Sequence, residues 1–206
     1  MHLLDSHLAS VWLTELRSKE TRPESFRAMV RRLSVLLFLE ATRRIPITER
    51  PVETPLAPAY GAELTDAPVL APILRAGLGM AEAIHPMIPE AAVRHLGFYR
   101  DHESLQPVAY YTPQPPNVGG PVFVLDPMLA TGGSACAAIS LVRTWGRQPD
   151  EIHLLSLIGV PEGVARVESD HPGVQIWLGA LDDCLNEIGY IVPGLGDAGD
   201  RQFDSG

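Results

Sequence analysis

Lysine is almost missing. Lys19 is the only one in 206 residues, and arginine supplies the remaining cations. A Walker-type phosphate loop needs a lysine that reaches the phosphates, so that mechanism is excluded unless Lys19 provides it. Positive charge is short as well: 16 Lys plus Arg stand against 25 Asp plus Glu, a formal charge of −9. Non-specific nucleic-acid binding depends on cations that displace counterions from phosphate, so no nucleic-acid partner is expected. One small cationic pocket stays compatible with that balance. Cysteine is limited to Cys136 and Cys184, too few for a disulfide scaffold in a domain of this length. The seven histidines are scattered and form no H-E-x-x-H pair, so no metal-ligating residues are assigned. No apolar run approaches the roughly 20 residues of a membrane span. The start, Met1-His2-Leu3-Leu4-Asp5, lacks the cationic-then-apolar pattern of a signal peptide. No membrane partner and a cytoplasmic location are the expectation.

What is present reads as one α/β domain over 1–206. Residues 6–44 read as helices, with Leu8, Val11, Trp12 and Leu16 as one apolar stripe and Met29, Leu33, Leu36 and Leu37 as a second. Thr21 and Glu24 resemble a capping box, with Pro23 inside the first turn. Residues 45–68 carry Pro46, Pro51, Pro55, Pro58 and Pro68, which predicts extended or irregular chain. Short apolar strands are predicted at 69–74, 93–99, 121–125, 152–158 and 174–178, with helices at 80–87 and 135–145 between them. Alternation of this kind predicts a mainly parallel sheet flanked by helices. Residues 100–120 fit that rhythm less well and predict a projecting hairpin or flap.

Ligands of such sheets sit at the carboxyl ends of strands, so the loops there are the candidate sites. Pro72-Ile73-Leu74-Arg75-Ala76-Gly77 puts an arginine directly after a buried strand and before a helix, where an anion is favoured. Pairing of Arg75 with a structural carboxylate is the alternative. The second loop runs Asp126-Pro127-Met128-Leu129-Ala130-Thr131-Gly132-Gly133-Ser134. Strand, acid, loop, glycine pair and helix in this order suit one phosphate, held by backbone N–H groups and two hydroxyls. Asp126 is placed to take sugar hydroxyls or a magnesium ion; an ordinary turn uses the same residue types. The third loop, 189–201, matches G-x-G-x-x-G at Gly194, Gly196 and Gly199. A dinucleotide fold is rejected, because too little chain follows for a long helix and a distal acid. The loop reads instead as one that presents backbone N–H and C=O groups to a planar heterocycle, or as a C-terminal loop packed for stability. Asp197, Asp200 and Arg201 add charge to it. Asp182-Asp183 reads as a solvated turn close to this loop.

Together, PILRAGLGM at 72–80, DPMLATGGS at 126–134 and GYIVPGLGDAGD at 189–200 resemble the uracil phosphoribosyltransferases. Tyr99-Arg100, Pro161-Glu162-Gly163 and Leu185-Asn186-Glu187 support the resemblance, which runs from about residue 25 to the end. It implies a phosphoribosyltransferase type I-like fold, with an N-terminal helical segment (1–44), a flap (100–120) and a C-terminal uracil-binding segment (180–206). It implies transfer of ribose 5-phosphate from 5-phospho-α-D-ribose 1-diphosphate (PRPP) to N1 of uracil. By the same resemblance Asp126, Pro127, Met128, Leu129, Ala130, Thr131, Gly132, Gly133 and Ser134 cradle the donor. Arg75 and Arg100 face the diphosphate, and Ile191, Gly196, Asp197 and Ala198 read uracil. Asp197 also contacts the donor, and Asp197, Arg75 and Asp126 are the catalytic set. Mg2+ follows from the donor chemistry. A homodimer or larger homo-oligomer is implied, and some members of the family are GTP-activated, so a GTP effector belongs to the resemblance too.

The chain departs from the family in places. Pro113 stands near a place where the family often has a lysine. The tail reads Phe203-Asp204-Ser205 instead of Phe-Gly-Thr, and the first 25 residues match poorly. Three rivals share the fold. An RNA-binding attenuator would carry a basic face and two adjacent acids where this chain has Asp126-Pro127. A purine enzyme would lack the third loop. A catalytically silent uracil or nucleotide sensor would keep all three loops.

Overall fold

Val122, Phe123, Val124 and Leu125 are all fully buried, yet they face opposite ways. Val122 and Val124 join one apolar cluster, Phe123 and Leu125 the other. That two-residue period belongs to a strand covered on both faces. The computed structural model describes residues 1–43, 45–100, 107–111, 113–115 and 119–205, with the backbone alone for 99, 100 and 107–109.

In chain order the elements begin with β1 (His2–Leu3), α1 (His7–Arg17), α2 (Pro23–Thr42), β2 (Ile47–Glu53), β3 (Pro58–Leu64) and β4 (Val69–Leu74). Then come α3 (Leu78–Ile84), β5 (Ala92–Val93), β6 (Leu96–Arg100), β7 (Pro107–Tyr111), β8 (Val122–Leu125) and β9 (Met128–Leu129). The chain ends with α4 (Gly133–Thr144), β10 (Ile152–Gly159), α5 (Pro161–Asp170), β11 (Gln175–Leu181), β12 (Cys184–Leu185), β13 (Ile191–Val192) and α6 (Ala198–Phe203). The main sheet runs β1-β11-β10-β8-β4-β6-β7, parallel except for the antiparallel β6–β7 pair. Helices α1, α2 and α3 cover the face that carries Phe123, Leu125 and Leu155. Ile139 and Val142 of α4 and Val164 and Val167 of α5 cover the face that carries Val124, Leu154 and Ile176. Helix α2 buries Phe26, Val30, Leu33, Leu37 and Ala41 at helical spacing, and its Phe38 meets Phe123 of β8 edge-on with ring centroids 4.9 Å apart.

Several expectations need correction. In α1 the buried residues are Ala9, Leu13 and Leu16, while Leu8 and Val11 are exposed. The spacing of Leu8, Val11 and Trp12 is equally helical, but the packing against α2 selects the adjacent face. Thr21 caps nothing: its hydroxyl donates to the carbonyl of Glu15 at 2.5 Å, and Arg22 is the N-cap of α2 without a side-chain cap bond. Pro23 at the first helical position needs no amide partner, so the helix starts without a box. The strand predicted at 93–99 is two, β5 and β6, both paired to β4. Of the two forms predicted for 45–68, extended and irregular, residues 47–64 take the extended one, and the strands pair as an antiparallel hairpin, β2–β3, that the sequence reading did not foresee. Its prolines sit on a two-stranded ribbon with open edges, where a missing N–H is tolerated. Of the hairpin or flap predicted at 100–120, only β7 falls wholly inside the stretch; it pairs antiparallel with β6, which precedes it, and both belong to the main sheet. Residues 101–106, 112 and 116–118 lie outside the described ones.

Candidate active site

Strand β4 ends at Leu74, and the chain turns at once: the Gly77 amide donates to the Ile73 carbonyl at 2.8 Å and α3 begins. A Cβ on Gly77 would overlap the Leu125 carbonyl. The missing side chain therefore lets the first loop lie against the end of β8, where Asp126 stands. The Leu74–Arg75 peptide is cis. Arg75 is exposed, its guanidinium 3.5 Å from the Asp200 carboxylate. The carboxylate partner of the alternative reading is therefore present, in a solvated pair of the kind that contributes little.

Past β8, the Asp126 amide donates to the Leu155 carbonyl at 3.2 Å, and the Pro127 carbonyl accepts from Leu157 and Ile158. The loop is stitched to β10 up to Leu129, then turns at Gly132 (φ +76°) into α4. No side chain caps α4, so its first N–H groups lack intrahelical or capping partners. They border a hollow of about 70 Å³ lined by Asp126 and residues 128–135. Behind it, a Cβ on Gly163 would overlap the Ala130 carbonyl, and Arg166 donates to the Thr131 carbonyl at 3.3 Å. Asp126 is half-buried, and burial is the main cause that raises its carboxyl to about 7. The Met128 amide, which donates to it, pulls the other way, and the charge of Asp197 adds a smaller push upward.

The third loop begins in the turn of the β12–β13 hairpin and contains β13. Asn186 accepts from the amides of Ile188 and Tyr190 at 3.2 and 2.8 Å and closes the turn between the two strands. The Ile191 side chain is buried in the core, and its backbone lies in β13 opposite Leu185. Gly194 turns at φ +64° with its missing Cβ against the Ile191 carbonyl. Gly196 is exposed, Ala198 buried, and Asp197 is the N-cap of α6, accepting from the Asp200 amide at 2.9 Å. Gln202 of α6 donates to the Ala76 carbonyl at 3.0 Å, through the space that Gly79 leaves by having no Cβ. The first and third loops are thereby tied together.

Two expectations fail here. Asp182 is no solvated turn residue: it is 6% exposed and bound to Arg17 and to the Gly194 amide, whereas its neighbour Asp183 is exposed. Arg201 does not stand as a free charge beside the loop. It donates to the carbonyls of Leu16, Leu195 and Ser18 and lies over the Phe26 ring, and burial draws its guanidinium below its ordinary value. Arg17, Arg166 and Gln202 were not singled out from sequence. Arg100 ends β6, and its side chain lies outside the described residues. Burial pushes the Cys136 thiol up to about 11, which rules it out as a thiolate nucleophile near neutral pH. Among the described residues no cluster of three metal ligands occurs, and no helix is long and apolar enough to cross a membrane. A larger hollow of about 390 Å³, lined by Asp66, Gly120, Glu151, His153 and Gln175, opens at the amino ends of the strands, away from the three loops.

A family model described as uracil phosphoribosyltransferase matches residues 3–205. The chain belongs to the uracil phosphoribosyltransferase family. The match corrects the expectation that the first 25 residues stand apart. A uracil phosphoribosyltransferase of Roseiflexus sp. strain RS-1 is 54% identical over 195 residues, covering 94% of this chain and 93% of that one. The solved structure of the AQ2163 protein from Aquifex aeolicus superposes with a TM-score of 0.90 at 34% identity, covering 98% of both chains. An orotate phosphoribosyltransferase from Aeropyrum pernix, only 15% identical, shares the fold alone, with a TM-score of 0.50 over 84% of this chain and 93% of that one. The fold is the type I phosphoribosyltransferase α/β fold, and the chain is an enzyme of its family, as the resemblance implied.

Proposed function

We propose that this chain, acting as one catalytic domain, transfers ribose 5-phosphate from PRPP to N1 of uracil, giving UMP and diphosphate in pyrimidine salvage. One observation carries the proposal: an arginine loop, an uncapped helix start with a half-buried acid, and a glycine-turned backbone loop meet at the carboxyl ends of the central strands. Residues 126–134 take the 5-phosphate and ribose, their N–H groups donating to phosphate oxygens at the start of α4. Arg75 and Arg100 face the diphosphate. Departure of diphosphate leaves positive character on the sugar and charge on the leaving oxygens, which fixed cations stabilise best in a site with little water. Ile191, Gly196, Asp197 and Ala198 present uracil, so that N1 meets the anomeric carbon in one orientation. An N–H aimed at O4 of uracil would face an amine in cytosine, and a buried donor left so costs about 1–3 kcal/mol.

Mg2+ fits the donor set. Asp126 and Asp197 interact through their charges, and no larger ligand cluster exists among the described residues. Magnesium is commonly held in this way, by one or two carboxylates plus substrate phosphates. Asp126 and Asp197 would hold it, and it would neutralise charge on the leaving group. A cytoplasmic homodimer or larger assembly completes the reading. The β2–β3 ribbon supports self-association, since it leaves Ile47 64% and Tyr60 75% exposed and an isolated two-stranded ribbon is barely stable in water. A GTP effector is proposed with it, tested by whether GTP raises turnover.

The primary test is formation of UMP from labelled uracil, PRPP and Mg2+, with cytosine, orotate and hypoxanthine as parallel acceptors. Product from uracil alone is expected. No product from any base, in folded protein, would overturn the reading in favour of a sensor. Arg75→Ala is expected to raise the KM for PRPP by about 10- to 100-fold, the value of a lost charge-assisted hydrogen bond. The KM for uracil should move much less, and the reverse pattern would put Arg75 on the wrong ligand.

A further inference from the structure

We infer that Arg17 and Asp182 are positioning residues for base recognition, and that the end of helix α1 is therefore part of the uracil site. The inference rests on the proposal that residues 191–198 read uracil. Asp182 is buried, and a buried carboxylate must have its oxygens satisfied. One oxygen accepts from the Gly194 amide at 2.9 Å and from Arg17 Nη1 at 2.7 Å, and the other from Arg17 Nη2. Arg17 Nη1 also donates to the Gly194 carbonyl at 2.9 Å. Both polar groups of Gly194 are thus held by one ion pair, at the turn that launches Leu195, Gly196 and Asp197.

Arg201 adds a second tie, joining the Leu195 carbonyl at 2.7 Å to the Leu16 carbonyl at 2.8 Å at the end of α1. Carbonyls at a helix end have no partner within the helix and carry the negative end of its dipole, so a guanidinium suits them. Residues 194 and 195 are therefore fastened to residues 16 and 17. Uracil read by backbone groups leaves no side chain to tune. Discrimination then depends on where those groups are held, and a fork of two parallel bonds fixes position better than a single ammonium can.

The test compares Arg17→Gln and Arg17→Lys with wild type, measuring KM for uracil, Kd for PRPP and the uracil-to-cytosine preference. Arg17→Lys keeps the charge opposite buried Asp182, so it retains the fold if Arg17→Gln does not. Arg17→Gln is expected to raise the KM for uracil by about 10- to 100-fold, the cost of misplacing a recognition group by about an ångström. Arg17→Lys should raise it by less, and the preference for uracil should narrow in both. The Kd for PRPP should rise by a clearly smaller factor than the KM for uracil, since Arg17 and Asp182 hold the turn at residue 194 whereas most of the proposed donor contacts lie on residues 126–134 and Arg75. An unchanged KM for uracil in Arg17→Lys, or uracil and PRPP weakening by the same factor, would overturn the inference. Failure of wild type itself to use uracil would instead overturn the functional reading beneath it.

Discussion

Asp197→Asn is expected to lower kcat by about 100- to 10,000-fold, the range lost when a positioned acid-base group is removed, with the fold intact. Two properties of Asp197 separate in this variant. Its Oδ1 accepts from the Asp200 amide at 2.9 Å and starts α6. Asparagine caps a helix about as well as aspartate, so α6 and its bonds to Ala76 and Arg27 should survive. The negative charge does not survive. It is this charge that would hold the donor's cation and offer a place for the uracil N1 proton. Circular dichroism and thermal melting check the fold, and single-turnover UMP formation checks the chemistry. Wild-type turnover in a folded Asp197→Asn protein would end the catalytic role assigned to it.

What could be read from sequence was local. Val122 to Leu125 and Ile152 to Ile158 announce buried strands by composition, and the loops after them announce the site by position. Gly163, which the resemblance marked, acquires a reason only when the Ala130 carbonyl is found where its Cβ would stand. The errors arise where a partner is distant in sequence. Asp182 looks like a solvated acid until Arg17, 165 residues away, comes to it. Arg201 looks like a free cation until the end of α1 presents its carbonyls. Leu8 and Val11 are as periodic as Ala9 and Leu13, and only the placement of α1 on α2 decides which pair is buried. The β2–β3 hairpin escaped notice because Pro51 and Pro58 argue against an interior strand, whereas this ribbon has no interior.

Asp126 makes the second large prediction, because its carboxyl titrates where the enzyme would work. Burial raises it from 3.8 to about 7, against the Met128 hydrogen bond and with a small push from Asp197. Between those values the folded chain holds a proton that the unfolded chain has released. Stability from this group therefore falls as pH rises through the window and is flat above about 7, by at most about 1.4 kcal/mol per pH unit. Asp126→Asn removes the titration, so its melting temperature relative to wild type should climb between about pH 4 and about pH 7 and level off above. Donor binding should run the opposite way. The ionised carboxylate is the form that accepts sugar hydroxyls and a cation, so wild-type affinity for PRPP with Mg2+ should weaken by up to about tenfold per pH unit below 7. The donor's own phosphate titrates nearby, and the variant separates the two effects. Asp126→Asn should bind weakly throughout and keep only the donor's slope. Calorimetric Kd values that run parallel in both proteins across this range would remove Asp126 from donor binding, whatever its effect on the melt.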